Sequence, residues 1–249
     1  MLLSLENLLG YQIRASDGDI GKVYDFFFDD QLWKLRYLVV EAGNWLNRRR
    51  VLVATASLGA IHGQLREFEV GLTRSQVQSS PDVDTARPVS RQQEVSMNEH
   101  YGWPAYWTAE ALLVHDPIPV PAPNAELTGG DPHLRSFREI SSYSVNHRGE
   151  LIASLRDFVI DDRDWSMTLM VVSLGGMLDA RLVGIHPGSI SEVSWNKGSL
   201  AVCLSKDEVN KLPVFDPSAA INRVERTIHV DYFGRIVSQD TLQRTHASS

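Results

Sequence analysis

The chain has little cysteine, no long apolar run and no surplus of positive charge, and each shortage closes off a class of function. One cysteine, Cys203, in 249 residues excludes an intramolecular disulfide framework and cannot help to build a zinc site. The greasiest run, residues 169–174, ends at two glycines and falls well short of the ~20 apolar residues that span a bilayer. The N-terminus has no basic n-region and is broken at Glu6 and Asn7, a poor signal peptide. These features lead to the expectation of a bacterial-type cytoplasmic protein, at most peripheral to the inner membrane.

Motifs for chemistry are also missing. The eight histidines are scattered, with no His-Glu-x-x-His spacing, and there is no Gly-x-Ser-x-Gly nucleophile elbow. Gly129-Gly130 and Gly175-Gly176 lack the residues of a phosphate-binding loop. The chain is therefore expected to be no enzyme and to hold no metal or cofactor. Cys203 falls in an apolar segment, where a buried, inert thiol is the default.

The net charge of −7 is unevenly placed. Residues 1–80 carry nine basic and nine acidic side chains, whereas residues 81–133 carry two and eight. Nearly all the acidic surplus thus lies in a connector, and neither flank has the basic field of a nucleic-acid binder, so no direct nucleic-acid binding is expected.

What the sequence does contain is a repeat. A shift of 132 residues pairs Ser4 with Ser136, Tyr11 with Tyr143, Asp25-Phe26 with Asp157-Phe158, Asp29-Asp30 with Asp161-Asp162 and Trp33 with Trp165. Val39-Val40 then meets Val171-Val172, and Pro81 meets Pro213. One-residue slips are expected where Gly18 matches Gly149 and Arg50 matches Arg181. A register held over about a hundred residues marks duplication of a folding unit.

Each copy reads as short strands rich in Val, Ile, Phe and Tyr, separated by acidic and glycine turns. The acidic residues Asp25, Asp29 and Asp30, with their partners at 157, 161 and 162, read as turn and surface groups, having no EF-hand spacing. Thr73 with Gln76, and Ser205 with Glu208, fit capping boxes of short helices that Pro81 and Pro213 stop. The expected fold is mainly β: two small six-stranded β-barrels, each followed by a short helix and an extended tail. The boundaries are 1–80 for the first barrel, 81–133 for an aromatic, acidic and proline-rich connector, 134–215 for the second barrel and 216–249 for a C-terminal tail.

Leu9-Gly10-Tyr11, Ser16-Asp17-Gly18, Ile20-Gly21-Lys22-Val23 and the acidic-ended strand at Asp25, Asp29 and Asp30 together resemble the PRC-barrel family. The segment Tyr101-Gly102-Trp103-Pro104-Ala105-Tyr106-Trp107 is similar to the aromatic tail of its stand-alone members. The likeness covers about 80 residues of the first copy, and the second copy joins it through the repeat. Relatives include the cytoplasmic domain of the photosynthetic reaction-centre H subunit and the C-terminal domain of ribosome maturation factors. The resemblance implies PRC-type barrels and action through protein surfaces. The leading reading is a non-enzymatic interaction or scaffold module, in the setting of a membrane electron-transfer complex and photosynthesis. Ribosome assembly or RNA processing through a ribosomal protein, and small-molecule or metal binding, stay open as alternatives. The partner is an unidentified protein, with a homodimer among the options.

Two groups of residues are candidate contact sites. Tyr101, Trp103, Tyr106 and Trp107 place four large aromatics in seven residues, and such rings either anchor partners or pack within the molecule. Trp45 with Arg48, Arg49 and Arg50 is the one compact basic patch, fit for an anionic partner or for solvated charges at a hairpin end.

Overall fold

A computed structural model of the chain describes residues 1–43, 49–80, 91–103, 134–175, 180–216, 229–230 and 236–237. The first copy of the repeat supplies β1 (Leu2–Ser4), α1 (Leu5–Leu8), β2 (Gln12–Ala15), β3 (Gly18–Asp29), β4 (Lys34–Ala42), β5 (Arg49–Ala54), β6 (Leu58–His62), β7 (Glu67–Val70) and α2 (Arg74–Gln78). A helix not foreseen from sequence, α3 (Arg91–Tyr101), lies in the connector. The second copy supplies β8 (Leu134–Ser136), α4 (Phe137–Ile140), β9 (Ser144–His147), β10 (Glu150–Asp161), β11 (Met167–Leu174), β12 (Arg181–Ile185), β13 (Ile190–Ser194), β14 (Ser199–Val202) and α5 (Lys206–Asn210). A two-stranded ribbon, β15 (His229–Val230) with β16 (Ile236–Val237), follows.

The fold is mainly β, with two seven-stranded sheets in two compact units. In the unit of Leu9–Gln31 and Arg36–Ser136, strands run β5-β4-β3-β2-β7-β6, and β8 adds to β3. In the unit of Met1–Leu8, Leu32–Leu35 and Phe137–Ser249 they run β12-β11-β10-β9-β14-β13, and β1 adds to β10. Each sheet has one parallel pair at the same place, β2 with β7 and β9 with β14. Residues 35–40 of β4 and 169–174 of β11 are buried without a break, so these strands are covered on both faces. That explains their unbroken apolar runs.

The 132-residue offset survives in the pairing without the expected slips. Leu38 faces Val53 as Met170 faces Ile185, and Ala42 faces Arg49 as Leu174 faces Arg181. Arg49, not Arg50, is therefore the counterpart of Arg181. At the first hairpin Ala15 faces Gly18 as His147 faces Glu150. Only the turn differs there: Gly18 has φ +132°, whereas Arg148 and Gly149 take the positive φ values in the second copy. Trp33 and Trp165, at the same place in the acidic turns, are both left-handed, at φ +50° and +63°.

The glycine of Ile20-Gly21-Lys22-Val23 has a steric cause. A Cβ at Gly21 would sit 2.1 Å from the carbonyl oxygen of Glu41, so β3 and β4 approach too closely for any side chain. The second copy carries Ala153 at the equivalent position, on β10. Tyr11 of the Leu-Gly-Tyr motif is buried, tilted on Phe68 at 5.7 Å, with the Arg66 guanidinium 4.8 Å from its ring centre.

Each unit contains a strand from the other copy of the repeat. β1, from the first copy, pairs with β10: Leu2 faces Asp161, Leu3 faces Ile160 and Ser4 faces Val159. β8, from the second copy, pairs with β3: Leu134 faces Asp29, Arg135 faces Phe28 and Ser136 faces Phe27. The two registers are identical under the 132-residue offset. The long strands β3 and β10 each offer an edge whose first part takes a strand of their own copy and whose end takes the exchanged strand. The units thus cut across the repeat boundaries at 80 and 133. Leu3, Leu5 and Leu8 of the N-terminal segment are buried, and a buried leucine contributes about 1.5–3 kcal/mol, so the segment is firmly docked. The acidic turn travels too: Leu35 N donates to Trp165 O at 2.9 Å and Met167 N to Trp33 O at 2.7 Å.

Both capping boxes form as expected. Thr73 N donates to Gln76 Oε1 at 2.8 Å, Ser205 N donates to Glu208 Oε2 at 2.9 Å, and each hydroxyl accepts the return amide. The helices α2 and α5 end three residues before Pro81 and Pro213. Cys203 departs from expectation. It lies just past β14 and is exposed, because strand alternation turns its neighbours Val202 and Leu204 inward and leaves position 203 outside.

Candidate functional site

The strand exchange is fastened by two serine–aspartate joints, buried at Ser4–Asp157 and half-buried at Ser136–Asp25. Ser4 Oγ donates to Asp157 Oδ2 at 2.5 Å, and Ser136 Oγ donates to Asp25 Oδ2 at 2.6 Å. In each aspartate the other oxygen accepts the next residue's amide, Phe158 N or Phe26 N, at 2.7 Å. Asp157 also takes Glu6 N at 2.9 Å, from the first turn of α1. Ser4 Oγ in turn accepts Asn7 N at 3.1 Å, so the hydroxyl both caps the start of α1 and secures the strand before it. Burial pushes the Asp157 carboxyl up to about 6, against the opposing pull of Ser4, Glu6 and Phe158. Asp25 and Asp157 are both buried at 4% exposure, which corrects their reading as turn and surface groups. An aspartate on an apolar strand is retained there because the incoming serine satisfies it.

The acidic pairs at the strand ends do serve turns, and they also hold cations. Asp29 Oδ1 accepts Gln31 N at 2.9 Å, and Asp161 Oδ1 accepts Arg163 N at 3.1 Å, the same aspartate turn in both copies. Arg36 Nη2 lies 3.2 Å from Asp29, and Arg135 Nε of the exchanged strand lies 3.2 Å from Asp30. In the other unit the Met1 amino group lies against Asp162. The Arg163 side chain holds the Asp161 carboxyl down to about 2. Among the described residues no group of three or more His, Cys, Asp or Glu side chains is arranged to hold a metal ion, and no helix is long and apolar enough to cross a membrane.

The aromatic candidates divide. Tyr101, the last residue of α3, is buried, stacked on Trp103 at 4.2 Å with an interplanar angle of 16°, and edge-on to His100 at 4.7 Å. Trp103 is half-buried, 6.5 Å from the Tyr37 ring on β4. Burial pushes the Tyr101 phenol up. These two rings pack within one unit, and Trp103 keeps an accessible part. Tyr106 and Trp107 lie outside the described residues. Glu94 and Asn98, which share a face of α3 with Tyr101, are buried as well.

The basic patch divides likewise. Trp45 and Arg48 lie outside the described residues. Arg49 Nη1 donates to Gln78 O at 2.5 Å, and its Nη2 to Ser80 Oγ at 3.1 Å, so its charge meets the carbonyl end of α2. Arg181 does the same for α5, donating to Asn210 O at 2.6 Å. Arg50 lies over the Tyr24 ring, 3.8 Å from its centre. Sequence reasoning named Arg49 for its charge and overlooked Ser4 and Ser136, which stood out only as matched pairs in the repeat. No protein-family model matches this chain, and no curated protein matches it.

Proposed function

We propose that the chain is a non-enzymatic interaction module of two PRC-type barrels, interlocked by exchanged strands, that acts by offering protein surface to protein partners. The observation that supports this reading is the use made of the repeated carboxylates. Asp25 and Asp157 bind serine hydroxyls of the exchanged strands, Asp29 and Asp161 shape turns, and Asp30 and Asp162 hold cations. The acid groups common to both copies are thus taken up in joining the molecule together. Six strands of each copy follow one another in a single sheet with one internal parallel pair, an order compatible with a small barrel. The half-buried Trp103, which has no tryptophan counterpart in the second copy, and Arg50 on Tyr24 are the contact candidates on the first copy.

A membrane electron-transfer complex is the first partner class to test, because the sequence resemblance includes the reaction-centre H subunit. The test is affinity capture with mass spectrometry, comparing the unaltered chain with Trp103→Ala and with Trp103→Ala plus Trp107→Ala. The reading expects a defined protein partner whose recovery falls at least about tenfold in the variants, as loss of a ~1.4 kcal/mol anchor requires. Equal recovery from all three chains contradicts the aromatic contact, and absence of any stoichiometric protein partner contradicts the reading itself.

A further inference from the structure

The exchanged N-terminal strand is held by features that every copy of this chain carries. It contributes a three-residue antiparallel ladder along 159–161, the buried Leu3, and the Ser4 hydroxyl on Asp157. Leu5 and Leu8 of α1 follow it into the same unit. The acceptor on β3 takes Leu134–Ser136 in the same register with the same serine–aspartate joint. Neither acceptor is filled by its own copy of the repeat, so neither site depends on the donor being near in sequence.

The crossing behind the strand is short and marked by one unusual residue. The chain leaves α1 at Leu8 and enters the other unit at Leu9. Gly10 follows in the left-handed region at φ +76°, where open space surrounds the position a Cβ would take. Its amide donates to Val23 O at 2.9 Å, and Arg66 Nη2 donates to Leu9 O at 3.2 Å. The hinge conformation therefore rests on a backbone state that glycine adopts freely and other residues resist.

We propose that two copies of this chain interlock by trading residues 1–8, the strand and helix of each docking on the β10 acceptor of the other. The contacts made between chains are those the single chain already makes, so the choice rests on hinge conformation and concentration. A tether this short gives an effective concentration of the order of millimolar, which keeps the strand in its own chain in dilute solution. Folding in concentrated solution lets the neighbour's strand compete, and the product persists because release requires withdrawing Leu3, Leu5 and Leu8 from a core.

The test uses the full chain with Leu2→Cys and Asp161→Cys, which face each other across the β1–β10 pair, and Cys203→Ser. Isotopically light and heavy chains are mixed, unfolded, refolded at a series of concentrations and oxidised, and the linked peptides are mapped. The expected result is light–heavy linkage whose ratio to linkage within one chain rises in proportion to concentration, roughly a hundredfold for a hundredfold increase. Linkage only within single chains at all concentrations overturns the proposal. Should the cysteine pair prevent folding, native mass spectrometry of the unaltered refolded chain decides. A dimer that scales with refolding concentration and survives dilution supports the proposal, and monomer alone overturns it.

Discussion

Ser4 of the first copy donates its hydroxyl to Asp157 of the second at 2.5 Å, and Ser136 of the second donates to Asp25 of the first at 2.6 Å. Each removal leaves a buried carboxylate short of a donor, which costs about 1–3 kcal/mol. Ser4→Ala and Ser136→Ala are each expected to lower unfolding stability by that amount in urea. The two losses fall in different units, so the double variant is expected to lose nearly their sum.

The Asp157 joint also sets a pH dependence. Because burial raises its carboxyl to about 6 in the folded chain, the folded state binds that proton more tightly than the unfolded state does. The stability this gives is full below the ordinary carboxylate range and is lost as pH rises through about 6. A rise of this size above the ordinary carboxylate value is worth at most ~3 kcal/mol. The urea midpoint is expected to be higher at pH 5 than at pH 7.5, and Asp157→Asn is expected to flatten that interval. Asp161 works in the opposite sense. Held at about 2 by Arg163, it stabilises the fold above the ordinary range and loses that contribution as pH falls toward 2. Stability is therefore expected to peak between these limits.

Gly21→Ala tests the close approach of β3 to β4. A methyl group 2.1 Å from Glu41 O forces the strands apart, at an expected cost of about 1–3 kcal/mol. The opposite change in the second copy, Ala153→Gly, is expected to cost only about 0.5–1 kcal/mol, from backbone entropy. Thermal melting of the two variants checks the difference.

Arg49→Ala and Arg181→Ala remove equivalent donors to the last carbonyls of α2 and α5. Each is expected to destabilise its helix by about 1–2 kcal/mol, read as faster amide exchange in residues 74–78 or 206–210. If Arg49 served only a partner, its removal would leave exchange in α2 unchanged.

Much of this architecture was legible in the residues. The alternation and β-branched runs placed β5 and β12 to the residue, and Thr73 with Gln76 announced α2. Helix α3 escaped because its buried face alternates Glu94 and Asn98 with Met97 and Tyr101, so polar residues break the apolar period. The exchange escaped for a different reason. Leu2–Ser4 and Leu134–Ser136 are three residues long, too short for a period, and the copies match at Ser4 and Ser136 and at Asp25 and Asp157. A serine that would fit either aspartate gives no sign of which it meets. The matched pairs that reveal the duplication are thus the ones that conceal the crossing.

Hydrogen–deuterium exchange on Ser4→Ala tests that crossing most directly. Exchange of strands between copies predicts faster deuterium uptake in residues 157–161, far along the sequence in the second copy, with residues 25–29 unchanged. Faster uptake in residues 25–29 with residues 157–161 unchanged would mean that Ser4 serves its own copy, and would contradict it.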